Sequence, residues 1–225
     1  MIQKNFKEQD IRNVRNKFNN EYSQVVPKLK QQYKRNKFNL PKDNNSDSYV
    51  RESIYIQEIT NEKTEEIINE LKNTGATGND GIMIKHIKMS SKNSAIIITK
   101  IINKIIEEEK WPKEMKIQTL RPIYKNGNKK EVLNYRPISI LPVIDKIAEK
   151  YMSTIIQKFF QKHNIINDKQ FGFQEGKGTN EALEFVKEKI NKAMDEGQIT
   201  ATIFIDLQKA FDTLDHKLLL KKLQN

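Results

Sequence analysis

Three carboxylates, a lysine and a histidine gather between positions 206 and 216: Asp206, Asp212 and Asp215 beside Lys209 and His216. The residues leading into them, Thr202-Ile203-Phe204-Ile205, are β-favouring and mostly apolar, the pattern of a buried strand that delivers a charge at its tip. A core strand has no structural need to end on an acid, and an unpaired buried carboxylate is expensive. Asp206 is therefore expected either to meet solvent or to be held by a cation. Which cation that would be is left open by these residues alone. Zinc is not expected: the chain has no cysteine, and its three histidines, His86, His163 and His216, are far apart in sequence.

Two further stretches stand out by residue type. Arg121-Pro122-Ile123-Tyr124-Lys125 and Asn134-Tyr135-Arg136-Pro137-Ile138-Ser139-Ile140-Leu141-Pro142 bracket a basic turn around Gly127, and together they read as a β-hairpin. Gln170-Phe171-Gly172-Phe173-Gln174-Glu175-Gly176-Lys177-Gly178-Thr179 precedes an amphipathic run. A glycine-rich turn, Thr74 to Ile82, lacks the lysine and hydroxyl that would follow a nucleotide-binding P-loop.

Phe204-Ile205-Asp206-Leu207-Gln208-Lys209-Ala210-Phe211-Asp212-Thr213-Leu214-Asp215-His216 resembles the first catalytic motif of reverse transcriptases of the LINE-type (non-LTR) retrotransposon family. The hairpin is similar to that family's fingers hairpin with its Tyr-Arg-Pro-Ile-Ser segment. Residues 170–174 resemble its Gln-Phe-Gly-Phe-Arg motif, with Gln174 in place of arginine and Gly178 in place of serine. Gly78-Asn79-Asp80-Gly81-Ile82 resembles its Gly-Pro-Asp-Gly-Ile turn, with Asn79 in place of proline.

The resemblance covers about residues 55–225, the fingers and the opening of the palm, and it implies site roles. Asp206 would be the catalytic metal ligand, helped by the carbonyl of Leu207, and Phe211 would be the gate that excludes a ribose 2′-hydroxyl. Lys125 and Arg136 would bind the nucleoside triphosphate, since two cations on a rigid hairpin can clamp phosphates; ordinary surface cations are the alternative. Gln170, Phe171, Gly172 and Lys177 would contact template or backbone, with the Gln174 and Gly178 replacements weakening that grip. Asp212 and Asp215 would be structural or capping residues.

Polymerisation is phosphoryl transfer, which asks for positioning and charge-neutralising metal ions; the cofactor that the resemblance implies is magnesium, which takes oxygen ligands and keeps several waters. The second set of carboxylates that a two-metal site needs, a Tyr-x-Asp-Asp hairpin in this family, has no counterpart in the sequence.

The elements that must position these residues follow from periodicity. Ile11, Val14, Phe18, Tyr22 and Val25 form a helical stripe that Pro27 should stop, with a weaker helix beyond it through Leu29 and Tyr33. Lys28, Lys30, Lys34, Arg35 and Lys37, interleaved with Tyr33 and Phe38, suit a phosphate backbone or a plain solvated face. Pro41 to Ser48 reads as a linker and Tyr49 to Ile59 as extended chain. Thr60 should cap a helix over 61–73. Helices are expected over 94–110, 143–163 and 179–196, the last closed by Gly197, and a strand over 199–207. Asp215 should cap a final short helix.

Lys and Arg number 40 against 29 Asp and Glu, a net charge of +11 that favours a polyanionic partner, although the lysine and asparagine richness also fits an AT-rich coding sequence. No signal peptide and no span of about 18 apolar residues is evident, so a soluble protein is expected.

The fold expected is α+β: a basic helical extension and linker over 1–48, a reverse-transcriptase-like fingers region with a β-hairpin over 49–197, and an incomplete palm over 198–225. The function expected is that of a fragment of an RNA-directed DNA polymerase, inactive alone, with RNA, DNA and a deoxynucleoside triphosphate as partners and a C-terminal polymerase half elsewhere. A non-catalytic basic nucleic-acid-binding protein and a non-functional remnant with an unpaired strand edge are the rival readings.

Overall fold

A computed structural model describes residues 8–35, 52–207 and 210–224. They fall into two compact units, one of residues 1–155 and 212–225 and the other of residues 156–211.

The core of the first unit is helical. Helix α2 (Asn61–Glu70), the short α3 (Ile84–Lys88), α4 (Ser91–Glu108) and α5 (Val143–Lys162) bring Ile67, Ile68, Ile84, Ile98, Ile102, Val143, Ile147, Ala148 and Tyr151 into one buried cluster. The three- and four-residue spacings expected for α4 and the start of α5 account for this packing. Thr60 caps α2, its side chain accepting from the Lys63 amide at 3.2 Å. The helix stops at Glu70, three residues short of the sequence expectation, and Leu71 follows with an extended backbone. Thr64 and Thr99 satisfy each other's buried hydroxyls across α2 and α4 at 2.7 Å. Two glycines make the 74–82 turn possible. Gly81 has φ +70, and a Cβ on Gly78 would lie 2.6 Å from the Pro142 nitrogen.

The stretch before α2 is not a strand. Asn103 of α4 both donates to the Ile59 carbonyl and accepts from its amide, at 3.0 and 2.8 Å, and the Tyr151 hydroxyl donates to the Gln57 carbonyl at 2.9 Å. Side chains thus take the backbone groups that a neighbouring strand would otherwise claim.

Helix α1 (Glu8–Arg35) also departs from expectation, because it runs through Pro27 as one element. Proline removes one backbone donor and disfavours a helix interior; burial of Leu29, beyond the proline, anchors the second half. The expected stripe is buried unevenly, with Ile11 and Val14 exposed and Phe18, Tyr22 and Val25 partly buried. Lys28 is exposed, 4.0 Å from Glu21. The side chains of Lys30, Tyr33, Lys34 and Arg35, and all of Lys37, Phe38 and the linker Pro41 to Ser48, lie outside the described residues.

The sheet is a two-stranded antiparallel hairpin, β1 (Thr119–Tyr124) and β2 (Tyr135–Ile140). In the second unit, helix α6 (Thr179–Asp195) ends as expected, Gly197 taking φ +68 and its amide donating to the Met194 carbonyl at 3.0 Å. Toward the C-terminal half of α5 burial falls away: Ile155 is partly buried against the core and Ile156 is exposed.

The strand expected over 199–207 is not formed: this stretch has no ladder partner among the described residues, and Ile203, Phe204 and Ile205 are 85, 91 and 85% exposed. An extended segment cannot satisfy its own amides and carbonyls, so β-favouring sequence alone does not make a strand. Beyond it, α7 (Ala210–Thr213) is followed by α8 (His216–Gln224), which Asp215 caps as expected by accepting from the Lys217 and Leu218 amides at 2.9 and 3.2 Å.

One buried group makes the first unit pH-sensitive. Asp145, in the first turn of α5, is almost fully buried; its Oδ1 accepts from the Trp111 indole at 3.1 Å and its Oδ2 has no hydrogen-bond partner among the described residues. Burial pushes its carboxyl above the usual range, the Trp111 bond pulls it back in part, and the charges of Glu149 and Asp80 push it up again; Glu149 is itself raised by burial. A raised carboxyl leaves stability intact below the unfolded value of about 4 and removes it as pH climbs through the folded value. Asp145→Asn keeps an acceptor for Trp111 and cannot ionise. Its urea midpoint should fall less between pH 4 and 7 than that of the native chain, and equal slopes would exclude this origin.

Candidate functional site

The hairpin brings Lys125 and Arg136 together. Its register pairs Arg121 with Ile138, Pro122 with Pro137, Ile123 with Arg136 and Tyr124 with Tyr135. The Lys125 amide continues the ladder, donating to the Asn134 carbonyl at 2.8 Å. Hydrogen-bonded and non-bonded pairs alternate along an antiparallel ribbon. Counting from Lys125 and Asn134, the pairs 123/136 and 121/138 are bonded, whereas the proline pair falls where no cross-strand donor is needed. The two prolines therefore cost the ladder nothing and remove two outward amides from the ribbon's edges.

Side chains alternate in the same way. Arg121, Ile123 and Lys125 share one face with Arg136 and Ile138, so Lys125 and Arg136 are diagonal neighbours, within about 8 Å of each other by ribbon geometry. All five are exposed, and none of the three cations forms an ion pair with a described residue. Arg121 belongs to this face as fully as the other two. The period of two in Arg121-Pro122-Ile123-Tyr124-Lys125 is the signal that could have placed it there.

The opposite face is fastened. Tyr124 and Tyr135 stack edge-on at 5.5 Å, and Phe18 of α1 meets Tyr135 edge-on at 5.3 Å. The Tyr22 hydroxyl donates to the Tyr135 carbonyl at 3.2 Å, using the outward-facing acceptor of a non-bonded pair. The turn is closed by the same tyrosines: the Tyr124 hydroxyl donates to the Gly127 carbonyl at 2.7 Å and the Tyr135 hydroxyl to the Lys129 carbonyl at 2.9 Å. Gly127 takes φ +85 against the Asn134 side chain. The tyrosine end of that face is held by α1, and the face of Arg121, Lys125 and Arg136 is exposed.

The second unit gathers the Gln170–Lys177 residues. Lys177 Nζ donates to the Asp168 carbonyl at 2.7 Å and lies 5.9 Å from the centre of the Phe171 ring, which packs on Phe185 of α6 at 5.8 Å. Gln170 Nε2 donates to the Gly172 carbonyl at 3.3 Å, and a Cβ on Gly172 would meet nothing within 4 Å. Phe173, with φ +60 and 86% exposed, meets Phe211 edge-on at 6.1 Å. Positive φ in a residue as bulky as Phe173 is uncommon, and no sequence pattern announces it.

Asp206 is solvent-exposed, the first of the two alternatives that the sequence allowed, and Leu207 and Phe211 are exposed beside it. The side chain of Asp212 lies outside the described residues. Asp206 and the Leu207 carbonyl are two oxygen-bearing groups of the kind magnesium takes, and no group of three or more His, Cys, Asp or Glu that could hold a metal occurs among the described residues.

Residues 123–225 match the reverse transcriptase (RNA-dependent DNA polymerase) family. The chain belongs to the reverse transcriptase family. It is 32% identical over 152 residues to a probable RNA-directed DNA polymerase from the transposon X-element of Drosophila melanogaster, over 67% of this chain and 17% of that protein. It is 29% identical to the corresponding protein from transposon BS of the same fly, over 76% of this chain and 19% of the relative. It is also 29% identical to the RNA-directed DNA polymerase from mobile element jockey of Drosophila funebris, over 73% and 18%. All three are RNA-directed DNA polymerases of transposons or mobile elements by name, and the chain spans less than a fifth of their length. Both strands of the hairpin beyond Pro122, the 170–178 loop and Asp206 fall inside the reverse transcriptase match. Among the described residues no helix is long and apolar enough to cross a membrane.

The α1 clasp can be tested on its own. Tyr22→Phe removes one partly buried hydrogen bond and should destabilise the first unit by roughly 1 kcal/mol in urea titration, with faster amide exchange in β2. An unchanged midpoint and unchanged exchange would show that the clasp does not hold the hairpin.

Proposed function

We propose that these 225 residues supply the fingers and the first palm carboxylate of a non-LTR retrotransposon RNA-directed DNA polymerase. Residues 1–48 serve as a basic helical extension and linker, 49–197 as the fingers-like region and 198–225 as the opening of an incomplete palm. The observation that carries this reading is the exposed hairpin face, where Lys125 and Arg136 are diagonal neighbours that form no ion pair with a described residue, on a ribbon whose tyrosine end is held by α1. Arginine can bind a phosphate through two parallel donors and lysine as a point charge. Lys125 and Arg136 bind the triphosphate of an incoming deoxynucleotide, and Arg121 extends the same positive surface.

Asp206, with the Leu207 carbonyl, offers the first oxygens to magnesium, whose chemistry when bound is to neutralise charge on the transferring phosphate. Phe211 acts as the sugar gate, and its edge-on contact with Phe173 fixes the ring's orientation. Gln170, Phe171, Gly172 and Lys177 contact template or backbone; Lys177 is already drawn toward the Phe171 ring, a pairing that suits a stacked base beside a phosphate.

The 225 residues contain no Asp-Asp pair, so the remaining carboxylates of a two-metal site come from another stretch of polypeptide. The isolated chain should give no primer extension on an RNA template with magnesium. Joined to the palm remainder of its X-element relative it should extend the primer, and Asp206→Asn should return the joined protein to background. Robust synthesis by the isolated chain, or activity that survives Asp206→Asn, would contradict the proposal.

A further inference from the structure

A cavity of about 240 Å³ opens among the helices of the first unit, lined by Leu71, Lys72, Thr74, Ala76, Ile84 and Lys146. Its floor is apolar, with Ile84 buried and Leu71 and Ala76 partly buried, and its polar groups are two amines and a hydroxyl. Lys146 is the informative member. It is the fourth residue of α5, close to the positive end of the helix dipole, where a cation is disfavoured. It is half-buried and forms no ion pair with a described residue. Neither helix stability nor an internal salt bridge accounts for a cation here. An anion brought in from outside does.

We propose that this cavity binds one unstacked nucleotide of a single-stranded nucleic acid, the phosphate meeting Lys146 and Lys72 and the flat base lying on Leu71, Ala76 and Ile84. The volume lies below the roughly 300–1,000 Å³ of pockets that enclose drug-sized ligands, which suits a single nucleotide and excludes a stacked pair. An apolar floor accepts any base by its face, because every base has one, and cations beside such a floor are the usual arrangement for single strands. The Thr74 hydroxyl can donate to or accept from a base edge. An acidic peptide with an apolar side chain has related chemistry. The net charge of +11 and the reverse transcriptase family of the chain favour the nucleotide. The inference rests on the reading of this protein as a nucleic-acid enzyme and adds to it a second contact, built from the 71–76 segment after α2 with α3 and α5 instead of the hairpin.

The test uses uridine 5′-monophosphate, inorganic phosphate and a glutamate-rich peptide in calorimetric titrations of the 225-residue chain, together with a short single-stranded RNA in anisotropy titrations at several salt concentrations. Uridine monophosphate should bind more tightly than inorganic phosphate, and both Lys146→Gln and Ala76→Leu, which fills the cavity, should weaken it about tenfold. For the RNA, Lys146→Gln should lower the log-log salt slope by about 0.7, the loss of one phosphate contact on a single strand. In a background changed at Arg121, Lys125 and Arg136, which removes any uridine monophosphate held at the hairpin, Lys146→Gln should still weaken the remaining binding about tenfold; if the hairpin variant loses RNA binding while Lys146→Gln keeps it, the hairpin reading stands and the pocket fails. Uridine monophosphate binding indifferent to both pocket variants, or the peptide binding more tightly than the nucleotide and being lost in Lys146→Gln, would overturn the inference. Should Ala76→Leu melt early, Lys146→Gln decides alone, since it removes only an amine at a half-exposed position.

Discussion

The hydrogen-bond ladder between β1 and β2 is the constraint on which the candidate site depends. A ribbon of two strands is marginal by itself, and its register decides which side chains share a face. A slip by one residue would send Arg136 to the packed side and a tyrosine to the solvent. Three features hold the register here. The prolines sit opposite each other where no amide is required, the two tyrosine hydroxyls tie down the turn, and the Phe18 and Tyr22 side chains of α1 seize the tyrosine face. Each contact is worth little alone, and together they leave one arrangement in which Arg121, Lys125 and Arg136 point outward.

The same constraint explains the behaviour of the 199–207 segment. It has the composition of a strand and ends near the aspartate that motivates the catalytic reading, yet it has no neighbour to pair with among the described residues, and it lies exposed with no regular structure. The hairpin carries its own partner in sequence, a turn away; residues 199–207 do not. Asp206 accordingly stands in solvent with two oxygens to offer, where a complete metal site would surround an ion.

Much of this was legible in the residues. The helix cap at Thr60, the glycine stop at Gly197, the aspartate cap at Asp215, the helix periods that bury Ile98, Ile102 and Ile147, and the hairpin itself follow from local rules. So does the family, because the motif residues are dense and ordered. What sequence could not show depends on distant partners. Residues 52–59 form no strand, and Asn103 and Tyr151 take backbone groups of Ile59 and Gln57; α1 passes through Pro27 with Leu29 buried beyond it; Phe173 meets Phe211 from a left-handed backbone. Arg121 is a different case, since a strand's period of two by itself places it on the face of Lys125.

The central claim is that the outward hairpin face is a phosphate-binding surface, and salt dependence measures this most directly. Anisotropy titrations of single-stranded RNA with the native chain and with the Arg121→Gln, Lys125→Gln, Arg136→Gln triple variant report the number of phosphates engaged as the slope of log affinity against log salt. The account predicts that the triple variant loses about 2 from the slope, three contacts at roughly 0.7 each, with its thermal unfolding unchanged. An unaltered slope in a folded variant would contradict it.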